Sequence, residues 1–145
     1  MKKKLLFLCI GNSCRSQIAE GLGKKYLKSC QVSSAGTTPE KVNHNAINSM
    51  EEIGIDISMH KSTKINYNKL NKFDLIITLC RDARDSCPTI NLSKKHIHWD
   101  IEDPAKFNGT DNEIKAKFSE IRDIIYQKIK SLKIELKKEV KIKIL

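Results

Sequence analysis

Two runs in the chain are apolar almost without interruption, LLFLCI at residues 5–10 and FDLIITLC at 73–80. A strand with one wet face alternates polar and apolar residues. These runs do not, so each reads as a strand buried on both faces, the environment of a parallel sheet between two layers. SCQVSSAG (29–36) and KHIHW (95–99) are weaker strand candidates. Helical spacing fills the intervals, with Ile18, Ala19, Leu22, Tyr26 and Leu27 after the first run and Ala46, Ile47, Met50 and Ile53 further on. The longest stripe comes last: Ile114, Phe118, Ile121, Ile125, Ile129 and Leu132 recur at steps of three and four. Strands alternating with helices predict an α/β sandwich around a mostly parallel sheet, a fold that binds ligands at the carboxyl ends of its strands. The final EVKIKIL alternates like an edge strand yet could also extend the helix, and periodicity leaves both open.

The 145 residues suit one compact domain, expected to span 1–145 with a basic extension at 133–145. Lys2, Lys3 and Lys4 ahead of the first apolar run imitate an export signal. The run is shorter than the roughly 7–15 residues such a signal uses, and no small-residue cleavage site follows. No stretch approaches the ~18 apolar residues of a membrane span, so a cytoplasmic location and no membrane partner are expected. Five cysteines, an odd number in such a chain, argue for reactive or metal-binding thiols over a disulfide framework. The net charge of +10 favours anionic partners. With aromatics at 6% and no base-stacking motif, nucleic acid is not expected among them.

The sheet rule directs attention to Cys9, at the carboxyl end of the first strand, and to the turn Ile10-Gly11-Asn12-Ser13-Cys14-Arg15-Ser16 that leads into the first helix. Gly11 and Asn12 tolerate left-handed backbone angles, so successive N–H groups can point inward at the positive end of that helix. Arg15 can add a planar fork for two oxygens of a tetrahedral anion. A thiol in such a setting ionises readily. The C-x5-R spacing alone would arise by chance in about one such chain in seven, so the inference rests on the order strand, turn, Arg-Ser, helix. A Walker-type loop is excluded because GNSCRS lacks the Gly-Lys-Ser/Thr ending.

Thiolate attack on a phosphate-like centre needs a proton donor for the departing oxygen. HWDIEDPAKF offers Asp103, whose following Pro104 restricts the backbone; the alternative is a plain Asp-Pro turn. In TLCRDARDSCP, Cys80 ends the second long strand and Cys87 lies seven positions on. Neighbouring parallel strands open on one edge, so Cys80 can approach Cys9. A zinc site adding His96 and His98 is disfavoured because C-x6-C is wider than the usual spacing. Cys30 reads as a small buried hydrophobe and Cys14 as a loop residue packed beneath the turn.

CIGNSCRS, SSAGT, AINSMEEIGIDIS and HWDIEDPA, in that order, resemble the low-molecular-weight protein tyrosine phosphatases, and TLCRDARDSCP makes the chain similar to the thioredoxin-coupled arsenate reductases built on that fold. The likeness covers about residues 4–132, and the three-cysteine set is its specific part. Where the phosphatases commonly carry a tyrosine pair after Asp-Pro, this chain has Ala105-Lys106. The resemblance implies a single-domain three-layer sandwich, a four-stranded parallel sheet with helices on both faces. It also implies that residues 10–16 bind arsenate, that Cys9 attacks arsenic, and that Asp103 protonates the departing oxygen. Cys80 would then form a disulfide with Cys9, and Cys87 would pass it to a Cys80–Cys87 pair that thioredoxin reduces. Asn12, Ser16 and Ser34 would support the loop, Ser16 by a hydrogen bond to the thiolate, with no bound cofactor and a monomeric enzyme. Family members that bind potassium beside the loop use Asn, Glu, Ser and Asp. Asn12, Glu20 and Ser34 match the first three, whereas Thr63 stands in the place of the Asp, so bracing of the loop is the favoured role; His60, just upstream, could hydrogen-bond Ser34. Two alternatives stay open: a phosphatase using Cys9, Arg15 and Asp103, and a non-catalytic arsenite or metal sensor using the three thiols.

Overall fold

The structure, a computed structural model, describes residues 2–80 and 95–144. All four expected strands form: β1 (Lys3–Cys9), β2 (Cys30–Gly36), β3 (Leu75–Thr78) and β4 (Lys95–His98). They make one parallel sheet in the order β2-β1-β3-β4. β1 is central, in register with β2 from Lys3↔Cys30 to Cys9↔Gly36 and with β3 from Leu5↔Leu75 to Leu8↔Thr78. Its unbroken apolar sequence follows from that position. Leu5, Phe7 and Cys9 turn to one face and Leu6 and Leu8 to the other, and all five are buried. Burying each large side chain contributes roughly 1.5–3 kcal/mol.

On the first face Leu5, Phe7 and Cys9 join a core with Ile18 and Leu22 of α1 (Arg15–Tyr26), Ala46 and Met50 of α2 (His44–Glu51), and Phe118, Ile121, Ile125 and Ile129 of α3 (Asp111–Ile144). On the second face, among the described residues, Leu6, Leu8 and Ile76 pack against Ile65 and against Leu70 of a short 3-10 helix, Tyr67–Lys72. The sandwich expected from the sequence is therefore present; among the described residues α1, α2 and α3 pack on the first face and the 3-10 helix on the second.

The final alternating residues are helix, not strand, as far as Ile144. α3 runs 34 residues without a break, about 51 Å at 1.5 Å per residue, and its last turns overhang the amino edge of the sheet. Glu139 holds them there, with Oε2 2.8 Å from Lys3 Nζ and Oε1 2.8 Å from Lys95 Nζ. Among the described residues no helix is long and apolar enough to cross a membrane.

Candidate active site

β1 ends at Cys9 and α1 begins at Arg15, so the turn between them must reverse direction in five residues. Asn12 makes this possible at φ 47°, the left-handed region that asparagine tolerates. The carbonyls of the turn are all claimed from outside. Ile10 O accepts from Thr38 N (2.9 Å), Gly11 O from Glu40 N (2.8 Å), Ser13 O from Asn43 N (3.0 Å) and Cys14 O from Ile18 N (2.9 Å). Asn12 O accepts from Ser62 Oγ (2.9 Å) and Gln17 Nε2 (3.1 Å). In a planar peptide the N–H lies opposite the C=O, so carbonyls turned outward leave N–H groups turned toward the concave side. An anion cradle results, at the amino end of α1.

Side chains brace it from beneath. Ser16 Oγ lies 2.8 Å from Cys9 Sγ, and the Asn12 amide donates to Ser16 Oγ (2.7 Å) and Ser34 Oγ (2.8 Å). Asn12 Oδ1 in turn accepts from Thr63 N at 2.8 Å. Asn12 and Ser16 are fully buried and Cys9 is 2% exposed. Burial also pushes the Cys14 thiol up to about 12, so it stays protonated near neutrality beside Cys9.

Asp103 and Arg15, 88 positions apart, meet over the cradle. Arg15 Nη2 is 3.7 Å from Asp103 Oδ2, while its Nη1 donates to Ile101 O at 3.0 Å. Asp103 caps the 3-10 helix Pro104–Lys106 by accepting from Ala105 N (3.0 Å), with Pro104 at its first position. That cap aims one carboxylate oxygen at the arginine and leaves the group partly open to solvent.

The structure thus brings Cys9, residues 10–16, Ser34 and Asp103 to one place. Cys80 is buried just past β3, where Leu79 N donates to Leu8 O at 2.9 Å, so Cys9 and Cys80 end adjacent strands at the same edge. Cys87 lies outside the described residues. Cys14 and Cys30 are both buried in the core as expected. His96 and His98 both turn to Thr78 Oγ1 (3.0 and 2.7 Å), and no metal-ligating cluster occurs among the described residues.

His60 does not take up the hydrogen bond to Ser34 that the sequence left open. His60 Nδ1 instead faces Gln17 Oε1 (3.0 Å) and Glu20 Oε2 (3.3 Å), because α1 projects both side chains toward the 57–62 turn. Burial lowers the pKa of His60, with the Glu20 carboxylate opposing. Asn12, Glu20 and Ser34 do converge: the Asn12 amide nitrogen donates to Ser34 Oγ, while Asn12 Oδ1 is turned to Thr63 N. Ser34 Oγ donates to Glu20 Oε1 (2.5 Å), and Lys24 Nζ sits 2.6 Å from Glu20 Oε2. In this arrangement the three side chains brace one another beneath the loop.

Sequence reasoning overlooked Gly36. A Cβ there would fall 2.5 Å from Ile10 O, 2.8 Å from Asn12 N and 3.0 Å from Asn12 Cβ. Only a glycine lets β2 and the cradle approach this closely. Its signal was the glycine that closes SSAG, at the strand edge where ligands bind.

Comparison with known proteins agrees with this geometry. The low molecular weight phosphotyrosine protein phosphatase family matches residues 4–142. An arsenate reductase of Halalkalibacterium halodurans is 51% identical over 131 residues, covering 90% of this chain and 94% of the relative. A solved arsenate reductase in the phosphate binding state superposes with a TM-score of 0.70 at 31% identity, covering 92% of this chain and 98% of that one. The Vibrio vulnificus protein Wzb, solved with benzylphosphonate, shares the fold at a TM-score of 0.77 and 23% identity, covering 93% and 99%.

Proposed function

The chain belongs to the low molecular weight phosphotyrosine protein phosphatase family, and from that premise we propose that it is an arsenate reductase working by a three-cysteine relay recycled by thioredoxin. The observation that carries this reading is the pair of buried thiols, Cys9 and Cys80, at the carboxyl ends of adjacent strands beside an anion cradle. A relative 51% identical over most of its length is an arsenate reductase, which supports the choice of substrate.

Arsenate, a tetrahedral oxyanion, is held by the N–H groups of residues 10–16 and by the Arg15 fork. The Cys9 thiolate forms a bond to arsenic, and one oxygen leaves as water with a proton from Asp103. Cys80, as thiolate, attacks Cys9 Sγ; the S–As bond breaks, and its electron pair stays on arsenic. Arsenic(V) is thereby reduced to arsenite by two electrons while two thiols become the Cys9–Cys80 disulfide. Cys87 next attacks Cys80, restoring Cys9 and leaving Cys80–Cys87 for thioredoxin. The enzyme acts as a monomer and needs no bound cofactor.

The test couples the protein to thioredoxin, thioredoxin reductase and NADPH. Arsenate-dependent NADPH loss is expected, and its absence with an active coupling system sinks the proposal. Cys87→Ser is expected to release about one arsenite per protein and stop with Cys9 and Cys80 cross-linked. A phosphatase reading, which the cradle and Asp103 also favour, predicts instead that Cys80→Ser keeps full turnover on its substrate.

A further inference from the structure

The amino edge of the sheet, opposite the cradle, carries a groove of about 1260 Å³. One wall is the end of α1 and the start of β2, with Lys25 and Lys28; the other is the overhang of α3, with Lys133, Lys137 and Lys141. The three α3 lysines are spaced i, i+4, i+8 and so share one helix face, with Leu136 and Val140 beside them. Tyr26 supplies apolar surface from the other side.

Among the described residues nine lysines line this groove against one aspartate. That aspartate, Asp74, accepts from the Lys4 backbone N–H at 2.8 Å. Of the nine ammonium groups, only Lys3 is ion-paired, to Glu139. The rest form no ion pair among the described residues, so most of the chain's +10 charge is concentrated here and uncompensated.

We propose that this groove docks an acidic amphipathic peptide segment of a partner protein, held by lysine walls and an apolar floor. Its volume exceeds the roughly 300–1,000 Å³ of small-molecule sites. The concave shape does not suit a flat membrane surface, and a second copy of a +10 chain is repelled. Leu136 and Val140 separate a peptide from an inorganic polyanion, because apolar side chains on the partner have somewhere to bury. Since the groove and Cys9 lie at opposite ends of the same strands, an occupant leaves the cradle open.

The experiment is a selection of random 15-residue peptides on the intact protein, followed by affinity measurement of the enriched sequences. Acidic sequences with apolar residues at i, i+3 or i+4 are expected. Their affinity should fall at least tenfold in K133E/K137E/K141E and about fivefold in Val140→Ser, with arsenate reduction unchanged in both. Enrichment without that pattern, or peptides bound equally by the triple variant, overturns the proposal. So does unchanged affinity in Val140→Ser, the signature of bare polyanion attraction. Tighter binding of phosphatidylglycerol vesicles or of polyphosphate than of any selected peptide overturns it as well.

Discussion

Gly36→Ala tests whether close backbone approach, and not only side-chain chemistry, shapes the cradle. The new Cβ would stand 2.5 Å from Ile10 O, where ordinary contact begins near 3.4 Å, a shortfall of 0.9 Å. Neither side yields easily. β2 is pinned by its register with β1, and Gly36 itself is held by Gly36 N to Thr63 O and Ile65 N to Gly36 O, both 2.9 Å. The displacement therefore falls on Ile10 and Asn12 of the cradle itself. Misplacing catalytic groups by about 1 Å can cost ~100-fold in rate, or about 2.7 kcal/mol of transition-state stabilisation. Overpacking adds a stability loss of roughly 1–3 kcal/mol, which lowers Tm by about 3–10 °C in a chain of this size. The assay is arsenate-dependent NADPH oxidation with saturating thioredoxin, alongside phosphate competition and thermal unfolding by circular dichroism. Gly54→Ala is the control. At φ +76° with nothing within 4 Å of its Cβ, it should lose stability through backbone strain and keep full activity. Gly36→Ala with kcat/KM within threefold of the parent and an unchanged Tm would refute the reasoning.

Three further outcomes are expected. Asp103→Asn removes the proposed proton donor and should lower kcat about 10²–10⁴-fold, while phosphate competes more tightly because a carboxylate 3.7 Å from Arg15 is gone; weaker competition would contradict the placement. Iodoacetamide at pH 7 should label Cys9 well before Cys14, whose pKa burial raises to about 12, as mass spectrometry of tryptic peptides would reveal. Glu139→Gln should cost under about 1 kcal/mol at pH 7, since its pairs with Lys3 and Lys95 are partly exposed. The two lysines lower the Glu139 pKa from 4.5 to about 2. A depressed acid stabilises the fold above its unfolded value, so the difference from the parent should vanish as pH falls from 4.5 toward 2; denaturant titrations across that range check it.

Much of the site was legible because its chemistry is carried by side chains in local order. Cys9, Arg15 and Ser16 sit within eight residues of one strand–turn–helix unit, and Asp103 announces itself by the proline after it. The partner of His60 was not legible, Ser34 being only one option, because sequence distance does not reveal that Gln17 and Glu20 of α1 reach it first. The alternating EVKIKIL was ambiguous because Lys and Glu serve helix and edge strand alike; in the fold α3 runs on through Ile144, with Glu139 paired to Lys3 and Lys95.

By itself, then, the sequence determined the doubly buried strands, the long apolar stripe of the last helix and the choice of Cys9 as the proposed nucleophile. These depend on periodicity and residue chemistry, which neighbours in the chain express. Tertiary structure alone decided that backbone groups of residues 38–43 draw the cradle's carbonyls outward and that Gly36 must lack a side chain. It also decided that lysines from both ends of the chain share one groove. Those features are contacts between backbone atoms or between distant segments, which local periodicity does not express, and Gly36 is the one place among them where the residue type itself records such a contact.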